Sequence, residues 1–304
     1  MSGPACRGAL GVPLRHQSHT LALQRPGQWG LHKGSTSRIV LAMFLLMLAC
    51  KSPDPAPVEV EELSSFFLNH YEDEDPAALA EGAFNLEAWY DENVGSGDLG
   101  GALQDLSLED VTGLGMPQGT DVGLMVGVFH LTPQTCTNDQ IAGIFLYPNQ
   151  EELFPDAYVA YDRDYKTDTD CFRPGNCDAS AWDIHITTAL ALGTEMTYTL
   201  ESGLIRVRPA ADSEFFSEPF LMSRTVLPEP ATVDGQGYFD QSYQIEVFLP
   251  RQDDVLHFYA LWNAGGLQGL DPEAPFWKDQ YLDSIIEWDE NIDALCDEPE
   301  KWGD

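Results

Sequence analysis

Between residues 121 and 262 the chain alternates short apolar, β-rich runs with clusters of Gly, Pro, Asn and Asp. That punctuation predicts strands at 121–131, 141–147, 157–161, 182–192, 195–200, 204–208, 220–227, 238–249 and 255–262, short enough and close enough for an antiparallel sheet. One pairing follows from the pattern alone. If Ser202-Gly203 is a two-residue turn, Leu200 meets Ile205 and Tyr198 meets Val207, while Thr199 meets Arg206 and Thr197 meets Arg208. This sorts an apolar face from a polar one. The run from Val255 to Trp262 is apolar on both faces, which predicts a central strand covered on both sides.

Helical patterns flank the strands. Residues 60–70 form a short helical candidate. Asp75 then reads as an N-cap with Pro76 at the first helical position, opening a helix to about Glu92. Residues 95–119 read as a glycine-rich loop. Near the C-terminus Trp277, Tyr281, Ile285, Trp288, Ile292 and Leu295 form a stripe about 80° wide at 100° per residue, with Asp279, Asp283, Glu287 and Glu290 on the other side. A stripe that large must be buried, and the nearest partner is the strand before it. The expected fold class is α+β: a mainly antiparallel sheet, curved or as a sandwich, with N-terminal helices and a long C-terminal amphipathic helix on the sheet. The domain spans 63–304.

Upstream the pattern changes. Arg38 precedes eleven apolar residues, Ile39 to Ala49, about half of the roughly 20 needed to span a bilayer, which fits the core of a signal peptide. Met47-Leu48-Ala49-Cys50 resembles the bacterial lipobox. The resemblance implies cleavage before Cys50, lipidation of that cysteine and anchoring to a membrane. Lys51 carries no aspartate-type retention signal, which points to the outer rather than the inner membrane. Residues 51–62, rich in Pro and Glu, suit a semi-extended tether. Residues 1–36 hold no Asp or Glu and suggest a start further downstream, near Leu31, so the leader 1–49 is set apart from the domain.

Charge sharpens the break. All 50 acidic residues but only 10 of the 15 Lys and Arg follow residue 49, leaving about −40 on the mature chain. So acidic a surface argues against nucleic acid as a partner. It suits salt tolerance, divalent cations or a cationic partner. Beyond Cys50 the cysteines are Cys136, Cys171, Cys177 and Cys296. In an oxidising compartment these predict two disulfides, with Cys171–Cys177 around a turn-forming Arg173-Pro174-Gly175-Asn176 and Cys136–Cys296 as the favoured pairing of three. A zinc site from the same four is the alternative, disfavoured by export and by the lack of Cys-x-x-Cys.

Leu249-Pro250 ending one strand, the aromatic strand 255–262 and the long helix after it are similar in order to the helix-grip fold of START-like lipid-binding domains, over about the last 110 residues. The resemblance implies small-molecule carriage under the last helix and assigns no residue.

No metalloprotease, nucleophile-elbow, Walker or dinucleotide motif occurs. Three sets remain. Asp162, Asp164, Asp168 and Asp170 could gather calcium, or stand in a solvated loop. Asp183 and His185, on one side of a strand, could act as an oriented base, or face solvent. Arg206 and Arg208 could hold a carboxylate or phosphate ligand, or balance local charge. Trp262, Trp277 and Trp288 either line a ligand pocket or pack as core. The sequence thus reads as an exported acidic lipoprotein that binds an unidentified ligand or protein partner at the cell envelope without catalysis. A secreted hydrolase using Asp183 and His185, or a calcium-stabilised structural protein, is the alternative.

Overall fold

The computed structural model describes residues 55–303 apart from 74–75, 97–98, 115–121, 156–157, 190–194, 234–236 and 268–274. The leader, Cys50, the tether up to Asp54 and the Asp75 cap lie outside the described residues. The chain runs α1 (Val60–His70), α2 (Pro76–Asn93), β1 (Gly100–Leu103), β2 (Val126–Gln134), α3 (Asn138–Phe145), α4 (Gln150–Leu153), β3 (Ala160–Tyr165), β4 (Ala179–Ala189) and β5 (Glu195–Val207). It continues through β6 (Phe220–Val226), β7 (Ala231–Val233), β8 (Gly237–Pro250), β9 (Val255–Leu267) and α5 (Pro275–Cys296). No helix among the described residues is long and apolar enough to cross a membrane.

The strands form one antiparallel sheet in the order β1-β2-β9-β8-β6-β5-β4-β3, with β7 beside β8. It is a single sheet and not a sandwich. Alternation along β8 and β9 explains why it is covered twice. Tyr243, Ile245, Val247, Leu256, Phe258 and Trp262 point to one face and pack with Leu63, Phe67, Leu79 and Leu86 of α1 and α2. From the other face, Leu200, Leu221 and Phe248 pack with Ile141 and Ile144 of α3 and with Ile292 and Leu295 of α5. Central strand β9 is therefore enclosed as its sequence requires. Helix α5 lies across β2 and β9, joining Ile285 to Val128 and Leu261.

Four expectations are corrected. Residues 141–147 contribute to helix α3 and not to a strand. Thr137 and Gln140 form a capping box, with Gln140 N donating to Thr137 Oγ1 at 3.2 Å and Thr137 N to Gln140 Oε1 at 2.8 Å, which fixes a helix start just before the apolar run. Residues 195–200 and 204–208 belong to one strand, β5. Ser202 and Gly203 lie in its middle, paired with Thr225 and Arg224. Gly203 is required by close approach and not by a turn, because a Cβ there would sit 2.8 Å from the Tyr71 hydroxyl. Strand β3 begins later than expected and takes in Asp162 and Asp164. A short strand, β1, lies within the glycine-rich 95–119 segment, Ala102 pairing with Val128.

Both disulfides have the expected pairing, Cys136–Cys296 and Cys171–Cys177. The first closes a span of 160 residues and ties the end of α5 to the segment between β2 and α3.

Candidate functional site

Strand β8 carries Gln244 and Glu246 toward the α5 face, between positions that send Tyr243, Ile245 and Val247 into the opposite core. Neighbouring strands match it. Ser202, Thr225 and Gln244 fall in one cross-strand row, and Ser223, Glu246 and Tyr259 in the next. The Ser202 and Thr225 hydroxyls lie 2.8 Å apart, and the Tyr259 hydroxyl donates to Gln244 Oε1 at 3.0 Å. Ser223, Thr225 and Glu246 are buried, and Ser202, Gln244 and Tyr259 half-buried. They line a cavity of about 200 Å³ roofed by Ile144 and Phe145 of α3, Gln150 of α4 and Trp288 of α5. Edge strand β3 closes one side, where Arg163 donates to the Phe145 carbonyl and, at 2.5 Å, to the Tyr161 hydroxyl.

A charged cluster leads away from the cavity, which only its first member, Glu246, lines. Glu246 is 4% exposed, and its Oε2 stands 3.3 Å from His257 Nε2 and 3.4 Å from the Trp288 indole N–H. His257 is fully buried, stacked on Phe248 with centroids 4.2 Å apart. Its Nδ1 is 2.5 Å from Asp289 Oδ1, whose second oxygen is 2.7 Å from His130 Nδ1. Gln134 Nε2 donates to Asp289 Oδ1 at 3.3 Å. Glu246, His257, Asp289 and His130 thus form a continuous polar chain from the cavity to a side chain 16% exposed.

The electrostatics are settled by competition. Burial pulls the His257 pKa down, but the Asp289 carboxylate, aided by Glu246, outweighs it and raises the value to about 9. Burial likewise works against ionised Asp289, yet His257 and His130 hold its pKa below the usual carboxylate value. Burial pushes the Tyr158, Tyr161 and Tyr259 phenols up, so they stay neutral hydrogen-bonding groups at physiological pH. Both His257 nitrogens face carboxylates, and no cavity hydroxyl is hydrogen-bonded to them. The cluster is built as a set of counter-ions.

The residues singled out from sequence fall elsewhere. Asp183 and His185 are on the sheet face opposite the cavity. Asp183 pairs with Lys166 at 2.6 Å, and His185 lies between Asp164 at 3.1 Å and Thr199 at 3.0 Å. Asp162 and Asp164 stand on β3 with Asp168 and Asp170 in the loop beyond it, and Asp168 Oδ1 accepts from Asp170 N at 2.9 Å. Among the described residues no group of three or more His, Cys, Asp and Glu is placed to hold a metal ion. Arg206 and Arg208 are not beside Thr197 and Thr199, since the hairpin does not form. They bind the disulfide loop, Arg206 donating to Phe172 O at 3.1 Å and Arg208 to Gly175 O at 3.2 Å and Asp178 at 2.7 Å.

The three tryptophans do not share a pocket. Trp262 packs in the core beneath α1 and α2, and Trp277 stacks on Tyr281. Only Trp288 lines the cavity. Sequence reasoning missed Glu246, His257 and Asp289. One signal was present, for Asp289 lies four residues after Ile285 and three before Ile292, inside the apolar stripe of α5.

No family model matches the chain, and no curated protein matches it. Solved structures similar to it include a ginseng major latex-like protein from Panax ginseng, 14% identical, with a TM-score of 0.34 and 57% of this chain and 98% of that one covered. A START superfamily protein from Mycobacterium smegmatis is 11% identical at a TM-score of 0.34, covering 57% and 97%. A STAR-related lipid transfer protein from Xanthomonas axonopodis is 10% identical at 0.33, covering 58% and 86%.

Proposed function

We propose that this protein is an exported, non-enzymatic binding protein, held to a bacterial membrane through lipid on Cys50, that takes a small organic molecule into the cavity between its sheet and α5. The observation that carries the reading is the reversal of polarity on one sheet face. Ser223, Thr225 and Glu246 are buried and Ser202 and Gln244 half-buried beneath the helices, where burying polar groups is costly unless something they bind offsets it. The cavity has the mixed character of small-molecule sites, aromatic walls with a few convergent polar groups. An engineered cavity of ~150 Å³ accepts benzene, so a space of about 200 Å³ suits a molecule with one aromatic ring.

Trp288 and Trp182 line the cavity and report on its contents. Titration with one-ring organic compounds is expected to change their fluorescence saturably. Ser223→Leu, which fills the cavity with a branched side chain, is expected to weaken binding at least tenfold while the variant stays folded. Equal binding by wild type and Ser223→Leu would place the ligand elsewhere.

A further inference from the structure

The cavity is lined by one cation, Arg163, and one carboxylate, Glu246, and what each of them faces points to a ligand class. Glu246 and Asp289 are both carboxylates, and the one fully buried cation between them is His257. That cation is committed to Asp289, at 2.5 Å against 3.3 Å for Glu246. Glu246 meets His257 and Trp288 only through Oε2, and no hydrogen bond reaches its Oε1 from the described residues. A carboxylate 4% exposed is therefore left with unused acceptor capacity beside the cavity. The groups around that space suit a cation. The aromatic residues Tyr158, Tyr161, Tyr259 and Trp288 line it, and Ser223 stands beside Glu246 in the sheet register.

The protein already shows that this wall accepts a cation. Arg163 sits over the rings of Tyr161, at 5.2 Å, and Trp182, at 4.8 Å. Its donors turn to the Phe145 carbonyl and the Tyr161 hydroxyl, and it makes no ion pair with Glu246. Glu246 thus keeps one oxygen, Oε1, that neither His257, Trp288 nor Arg163 reaches. Aromatic faces with a desolvated carboxylate attract protonated amines.

We propose that the cavity selects a one-ring organic amine, with Glu246 as its counter-ion and His257, itself paired with Asp289, holding that carboxylate in place. This rests on the cavity being the binding site. The experiment is isothermal titration of the exported, purified protein at pH 7 with three probes of similar size: 2-phenylethylamine, 2-phenylethanol and phenylacetate. The amine is expected to bind at least tenfold more tightly than the alcohol, with phenylacetate weakest. Glu246→Gln, which keeps an acceptor for Trp288, is expected to abolish the preference for the amine, and Glu246→Asp to retain part of it. The wild-type comparison stands alone if a variant does not fold. Alcohol or acid binding as tightly as the amine would overturn the proposal while leaving the cavity a binding site. Tightest binding by phenylacetate would move the anchor to Arg163. Binding by none of the three would overturn this proposal and count against the cavity as a one-ring site.

Discussion

At His257, burial and charge act in opposite directions, and charge wins. The imidazole is fully buried, which favours the neutral form, yet the Asp289 and Glu246 carboxylates raise its pKa to about 9 from an ordinary 6.5. A folded-state pKa above the unfolded one stabilises the fold fully below the unfolded value and less as pH rises through the folded one. The His257 contribution, on the order of 3 kcal/mol by that shift, should therefore fall away between pH 6.5 and about 9. Asp289, held low, acts oppositely and loses its contribution only as the solution becomes acidic enough to protonate it. Thermal unfolding followed by circular dichroism should show melting temperature declining from pH 7 to 9. Asp289→Asn should flatten that decline, and an unchanged slope in the variant would contradict the assignment. Removing the cation by His257→Ala leaves two buried carboxylates and should cost roughly 3–5 kcal/mol. In the sequence these residues, Asp289 inside its apolar stripe apart, read as ordinary ones. Gln244 and Glu246 alternate with apolar neighbours as on any half-solvated strand, and only the roof of α3 and α5 makes their side of β8 an interior.

Elements were legible where one period and one pair of ends agreed. The stripe of α5, the starts of α1 and α2 and the doubly apolar β9 follow from local pattern because each buries a face set by its own residues. Residues 141–147 were misread because a short apolar run satisfies either period, and the deciding signal was the capping box at Thr137 and Gln140. Ser202-Gly203 failed for another reason. Gly203 answers to Tyr71, far away in sequence, and a local reading of turn chemistry cannot see that contact. Both disulfides were deducible because the even number of cysteines and the short, turn-forming 171–177 loop constrained the pairing. Their effects should differ with the span closed. Replacing Cys136 and Cys296 by alanine should cost about 5 kcal/mol in denaturant unfolding, and replacing Cys171 and Cys177 about 2, by chain-entropy scaling. A reversed order would show that Cys171–Cys177 holds more than its own loop, most directly through Arg206 and Arg208.

For the whole molecule, the α+β class and the C-terminal helix on an antiparallel sheet were legible, since they depend on the sum of many local patterns. The cavity was not, because it consists of space that side chains from six strands and three helices leave unfilled. Anchoring is an expectation of the leader alone. Cys50→Ser should move the protein from the membrane to the soluble fraction and remove the mass of the acyl chains. A variant still membrane-bound, with no lipid mass on the wild type, would contradict lipidation. The central claim is that the polar cavity holds a molecule. Native mass spectrometry of the exported protein, wild type beside Ser223→Leu and after incubation with envelope extract, tests it most directly. The wild type should carry added mass that leaves on denaturation, and Ser223→Leu should carry less. Bare masses for both before and after incubation would contradict it.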